Sequence, residues 1–221
     1  MLTHAAWSAE PGLVHGFLER EECAGVERWE SVAGVPVVAA RQVHGAAVLV
    51  ADGPGTAPID ADAVVTGARG IAVGVVTADC VPVLLVDRRR RAAAAVHAGW
   101  RGASAGVLEA AIDRLRERFD VALANLEALI GPAVGPCCYV VGPEVEAAFR
   151  ARTADTTAAA WDRRCGKLHL DLRAAVRSLL AAAGVPGAEI VGPCTACDRR
   201  FCSYRRDGAG CGRQLSFIGW A

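Results

Sequence analysis

Five short apolar runs in the first half of the chain constrain its fold more than any other feature. Val35–Ala39, Ala46–Val50, Ile71–Val76, Val81–Val86 and Ala92–Val96 are rich in valine and alanine and bounded by glycine, proline or charged residues. Their length and composition predict strands. Arg88–Arg91, between two of them, reads as a solvated hairpin turn. The period changes at Ser104–Phe119, where Val107, Leu108, Ala111, Ile112, Leu115 and Phe119 recur at three- and four-residue spacing. That spacing predicts an amphipathic helix packed on a sheet. Leu126–Ile130 reads as a further strand, and Pro143 as the first residue of a helix through Arg150. Asp171 is placed to cap a helix over Leu172–Ala183, terminated by Gly184 and Pro186. Strands at Glu189–Val191 and Leu215–Trp220 complete the reading, and Ala151–Lys167 reads as irregular. Early strand-to-strand passages followed by helices predict α+β layers rather than a regular doubly wound sheet. No repeat or low-complexity linker divides the 221 residues, so one domain over 1–221 is expected.

Composition excludes several classes of function. The formal net charge is zero, which gives no global attraction to nucleic acid or to an anionic membrane. No stretch reaches the roughly 18 uninterrupted apolar residues of a membrane span. The first ten residues lack a basic region followed by an apolar one, so they do not read as a signal peptide. Nine cysteines, an odd number unevenly spread, predict reduced thiols or metal ligands rather than a disulfide framework. A cytoplasmic location is expected.

Three residues stand out at strand ends: His44 between two strands, Cys80 directly after Ile71–Val76, and His97 between a strand and the long helix. A rigid sheet can present side chains from such positions to a shared cleft. Two imidazoles and one thiolate suit zinc, with a fourth position free for water or substrate. From spacing alone the plainer reading fits better: a strand-end histidine is more often a hydrogen-bonded structural residue and a lone cysteine usually a small buried hydrophobe.

Five segments occur in the order Arg41-Gln-Val-His-Gly45, Asp60-Ala-Asp-Ala-Val-Val-Thr66, Thr77-Ala-Asp-Cys80, His97-Ala-Gly-Trp-Arg-Gly102 and Ile130-Gly-Pro-Ala-Val-Gly-Pro-Cys-Cys-Tyr139. Cys194-Thr, Phe201-Cys-Ser-Tyr-Arg-Arg-Asp-Gly208 and Gly212-Arg213 follow. From about position 35 onward the chain thus resembles the YfiH-like family, long labelled laccase-domain or polyphenol oxidase proteins and also called peptidoglycan editing factors. The resemblance implies a layered α/β sandwich with mixed sheets, and a catalytic zinc on His44, Cys80 and His97. It also implies phosphorolysis of adenosine, inosine, guanosine and methylthioadenosine, together with adenosine deamination. Purine nucleosides and inorganic phosphate are the expected partners; oligomeric state is not legible.

For deamination, an open zinc site lowers the pKa of its water to about 7 for attack on C6 of adenine. A carboxylate then shuttles protons, and Asp79 and Asp62 are the candidates. The plainer role for either is to bond neighbouring backbone amides. For phosphorolysis, phosphate is expected near the start of the Ser104–Phe119 helix, with Arg41 and Arg101 making bidentate contacts. Tyr204, Arg205 and Arg213 match the C-terminal motif without an assigned role. Cys194, Cys197, Cys202 and Cys211 fall within 18 residues and offer a zinc-knuckle reading, although the family pattern requires only the first. Cys137 and Cys138, being adjacent, read as structural rather than as ligands of one metal.

Rival functions remain. A multicopper oxidase needs more histidines than the five present. An amide hydrolase editing peptidoglycan precursors would use either zinc or Cys80 as nucleophile with His97 as base. A binding module with a purely structural zinc is disfavoured by the open fourth position.

Overall fold

The computed structural model describes residues 1–23, 31–153, 156–185 and 187–221. Two mixed sheets lie face to face. The five-stranded sheet runs in the order Leu13–Phe17, Gln214–Trp220, Ile71–Thr77, Val35–Ala39, Ser31–Val32. The six-stranded sheet runs in the order Glu189–Ile190, Glu127–Ile130, Val81–Asp87, Ala92–Ala98, Ala63–Thr66, Val48–Val50. A small third sheet joins Val140–Val141, Lys167–Leu170 and Trp161–Arg164.

Strand alternation explains the layering. Ile71, Val73 and Val75 point from the first sheet toward Leu84, Val86, Ala93, Ala95 and Leu129 of the second, closing an apolar layer with Ile218 and Trp220. The intervening residues of the second sheet, Val81, Val83, Leu85, Ala94 and Val96, face helices Val107–Phe119 and Leu172–Ala182 instead. The second sheet is covered on both faces, which is why its central strands read as unbroken apolar runs. On the outer face of the first sheet, Ala72, Leu215 and Phe217 pack with Leu18 and Cys23.

Most predicted elements are present. Arg88–Arg91 is the turn of an antiparallel hairpin, with Asp87 Oδ1 accepting the Arg89 and Arg90 amides at 2.8 and 3.1 Å. Pro143 opens a helix that extends to Thr153, and Asp171 caps the next by accepting from the Ala174 amide at 3.0 Å. Pro186 lies outside the described residues. Two expectations need correction. Within 151–167, the strands Trp161–Arg164 and Lys167–Leu170 form a hairpin, whose antiparallel pairing compensates for weak local patterning. The Ser104–Phe119 helix is two helices, Trp100–Ala105 and Val107–Phe119, broken where Gly106 takes φ +96°. Glycine enters that left-handed region without the Cβ clash other residues meet. Among the described residues, no helix is long and apolar enough to cross a membrane.

Candidate metal centre and cleft

Topology brings the three predicted donors together. Val35–Ala39 and Ile71–Thr77 pair in parallel, so both end at the same edge of their sheet. From that edge the chain crosses to the six-stranded sheet twice, through 40–47 carrying His44 and through 78–80 carrying Cys80. The hairpin register sets His97 opposite Pro82, back at the same edge. The donor atoms of His44, Cys80 and His97 all lie within 4.8 Å of one another, with His44 Nε2 4.0 Å from Cys80 Sγ. The imidazoles of His44 and His97 meet edge to face at 4.8 Å.

Asp62 organises this cluster from beneath. It is fully buried. Its Oδ1 contacts His97 Nδ1 at 2.8 Å and accepts the His44 amide at 2.9 Å; its Oδ2 accepts the Gly45 and Val43 amides at 2.7 and 3.2 Å. The first contact makes Nδ1 the protonated nitrogen of His97 and leaves Nε2 as the ligand atom. The others hold His44 at φ +62°, a left-handed conformation costly for a residue with a Cβ. Burial raises the Asp62 carboxyl, but His97 and the Gly45 and His44 amides outweigh it and hold the group below its usual range. Burial likewise pushes the Cys80 thiol up, and the two neighbouring imidazoles reverse the direction to a net lowering. His97 moves oppositely: burial opposes its charge, while Asp62 and Cys80 hold its pKa up. Two imidazoles and a readily ionised thiolate converging on one point are a donor set that fits zinc.

Above the cluster opens a cleft of about 590 Å³, in the size range of small-molecule sites. Asp79 is the only lining carboxylate among the described residues, and Trp100, Tyr139 and Tyr204 supply aromatic surface. Arg101, Arg205 and Arg213 line it too, and no ion pair to a carboxylate is made by any of the three among the described residues. Asp79 Oδ1 accepts the buried Thr195 hydroxyl at 2.6 Å and Oδ2 accepts the Arg205 amide at 2.5 Å. Arg101 lies over the Trp100 ring at 4.4 Å.

Several sequence expectations change here. Arg41 is exposed, pairs with Asp60 and does not line the cleft, so it is not positioned to bind a ligand there. Arg101 lies inside the short Trp100–Ala105 helix rather than ahead of a long one. The following helix begins with Val107 and Leu108, both wholly buried, so an anion cannot reach its start from the cleft. Asp62 is enclosed by its four partners and absent from the lining, which removes it as a proton shuttle. Gln42 was not singled out, yet its amide exchanges two hydrogen bonds with the Val76 backbone, at 2.7 and 2.8 Å, tying the His44 loop to the neighbouring strand. Its position within the Arg41–Gly45 motif was the available signal.

Paired mixed sheets with a His–Cys–His cluster at their common edge, opening into a polar and aromatic cleft, define an α+β protein with the architecture of an enzyme. The chain belongs to the YfiH-like, laccase-domain family: the family model described as "multi-copper polyphenol oxidoreductase laccase" matches residues 22–221. Adenosine deaminase RL5, from an unknown prokaryotic organism, is 40% identical over 161 residues, 71% of this chain and 61% of the relative. Purine nucleoside phosphorylase YlmD of Geobacillus stearothermophilus is 34% identical over 207 residues, 88% of this chain and 73% of the relative. The crystal structure of the Bacillus licheniformis hypothetical protein YfiH superposes with a TM-score of 0.83 at 27% identity, covering 95% of this chain and 93% of that one. The chain thus spans about three fifths of RL5 and nearly all of the Bacillus protein. Relatives bearing phosphorylase and deaminase names support a nucleoside-processing role in the family.

Proposed function

We propose that this chain is a zinc-dependent purine nucleoside phosphorylase, acting on adenosine, inosine, guanosine and methylthioadenosine, that also deaminates adenosine. The observation that carries the reading is the convergence on one cleft of three guanidinium groups that have no carboxylate partner among the described residues. Uncompensated arginines around a cavity of this size suit a small anion such as phosphate. The relatives' names supply the second substrate, and the aromatic surfaces of Trp100, Tyr139 and Tyr204 suit a planar purine.

His44, Cys80 and His97 would hold the metal, which supplies a Lewis acid beside the substrate when bound. The protein's own groups do the rest. Arg101, Arg205 and Arg213 hold phosphate so that one oxygen meets C1′ of the ribose as the bond to the purine nitrogen breaks, and the bonding pair leaves with the base. The rings orient the base and keep water from its faces. Asp79, with a free lone pair on each oxygen beyond its two hydrogen bonds, carries protons. In deamination it takes a proton from the water attacking C6 and returns one to the departing ammonia.

The test is product analysis of adenosine incubated with and without phosphate. The reading predicts adenine and ribose 1-phosphate only with phosphate, inosine in either case, and a raised KM for phosphate in Arg101→Ala. No phosphate-dependent base release from any of the four nucleosides would overturn it. If the protein were also inactivated by a thiol reagent while metal-free, Cys80 would become the nucleophile of a hydrolase.

A further inference from the structure

A second thiol cluster lies apart from the donors described above. Its members are Cys137 and Cys138 from the turn after the Glu127–Ile130 strand, and Cys194 and Cys197 from the turn after Glu189–Ile190. This is not the grouping of Cys194, Cys197, Cys202 and Cys211 that a zinc-knuckle reading of the sequence offered. Cys202 and Cys211 are buried, and Cys211 donates to the Gly212 carbonyl at 3.2 Å. The adjacent pair takes their place.

Pairing of the two segments explains why. Ala133 and Cys194 form a parallel bridge, and the Thr195 amide donates to the Ala133 carbonyl at 3.0 Å. Beyond it each segment curls back on itself. The Cys138 and Tyr139 amides both donate to the Gly135 carbonyl, while those of Cys197 and Asp198 both donate to Cys194. The first curl turns both adjacent thiols toward the second. Cys197 Sγ lies 3.6 Å from Cys137 Sγ and 3.4 Å from Cys138 Sγ, and all four sulfurs are within 4.8 Å of one another. Four thiolates tetrahedrally around zinc at about 2.3 Å stand roughly 3.8 Å apart, whereas a disulfide needs about 2.05 Å. The Gly135 amide also donates to Cys194 Sγ at 3.1 Å, and a Cβ at Gly135 would stand 3.4 Å from the sulfurs of both Cys137 and Cys194.

We propose that Cys137, Cys138, Cys194 and Cys197 form a second, structural metal site that takes one zinc ion. Four soft thiolates select zinc among the common divalent ions, and a complete set of four leaves no position open for substrate. The ion would staple two turns that build the cleft wall. Tyr139 follows Cys138, and Thr195 follows Cys194 and donates to Asp79. The site does not depend on the nucleoside reading.

Zinc content of the purified wild type, Cys197→Ser and Cys80→Ser tests it. The expected result is about two zinc ions per wild-type chain and about one in each variant. Cobalt substitution of the wild type keeps the test independent of whether Cys197→Ser folds. Intense sulfur-to-cobalt charge-transfer absorption of a tetrathiolate site is expected, and it should persist in Cys80→Ser. Wild-type zinc content in folded Cys197→Ser, absence of the tetrathiolate spectrum, or a disulfide among these four cysteines in freshly purified wild type would each overturn the proposal.

Discussion

Asp62 and Asp79 look alike in sequence, each an aspartate within a family motif, but their surroundings give them different work. Asp62 is buried against three backbone amides and His97, whereas Asp79 faces the cleft. Asp62→Asn puts an amide where only acceptors fit. It should weaken metal binding roughly 10- to 100-fold and destabilise the fold by about 3–5 kcal/mol, read by chelator competition and denaturant melts. Asp79→Asn should keep the metal and lose roughly 10²- to 10⁴-fold in kcat; equal loss of metal in both variants would make Asp79 another support. His15 offers a separate test. It accepts the His4 amide at 2.9 Å and packs edge-on against Trp7. Burial, with some help from His4, lowers its pKa to about 4. The unfolded chain, where the ring titrates near 6.5, therefore binds more protons between those values. The stability from neutral His15 is full above about 6.5 and drains away as pH falls toward about 4. Melts of His15→Gln across that window should show a flatter acid limb than wild type; identical slopes would remove His15 as a cause.

At the scale of elements, the short Trp100–Ala105 helix presses on the loop that carries His44. A Cβ at Gly102 would sit 2.9 Å from the Gly45 carbonyl oxygen. Alanine is the better helix former by about 1 kcal/mol, but the obstacle is backbone and cannot swing aside. Overpacking of about 1–3 kcal/mol should therefore win. Gly102→Ala is expected to lower Tm and to weaken metal binding through displacement of the His44 loop; a raised Tm with unchanged metal affinity would contradict this. Strands covered on both faces announced themselves through unbroken apolar runs, and the Asp171 cap through its residue type. Leu13–Phe17 did not, because its partner Gln214–Trp220 is distant in sequence, and the 161–170 hairpin did not, because its two strands rest on pairing with each other rather than on an apolar pattern. The break at Gly106 left a signal, the glycine itself, which the apolar period on either side concealed.

Across the whole molecule, the two sheets share one functional edge because the chain crosses between them twice from strands that run parallel. That is how residues 36 and 17 positions apart come within 4.8 Å. The family motifs pointed to these three residues, and the fold brings them together. The four-thiol cluster was hidden because the Ala133–Cys194 bridge that assembles it joins segments about 60 residues apart. The proposed function turns on a zinc ion held by His44, Cys80 and His97 at the floor of the cleft. Crystals of the purified protein, with diffraction recorded on both sides of the zinc absorption edge, test this most directly. The expected result is an anomalous peak in contact with His44 Nε2, Cys80 Sγ and His97 Nε2 that vanishes below the edge. A protein active on nucleosides with no peak at that position, or with a peak that persists below the edge, would contradict it.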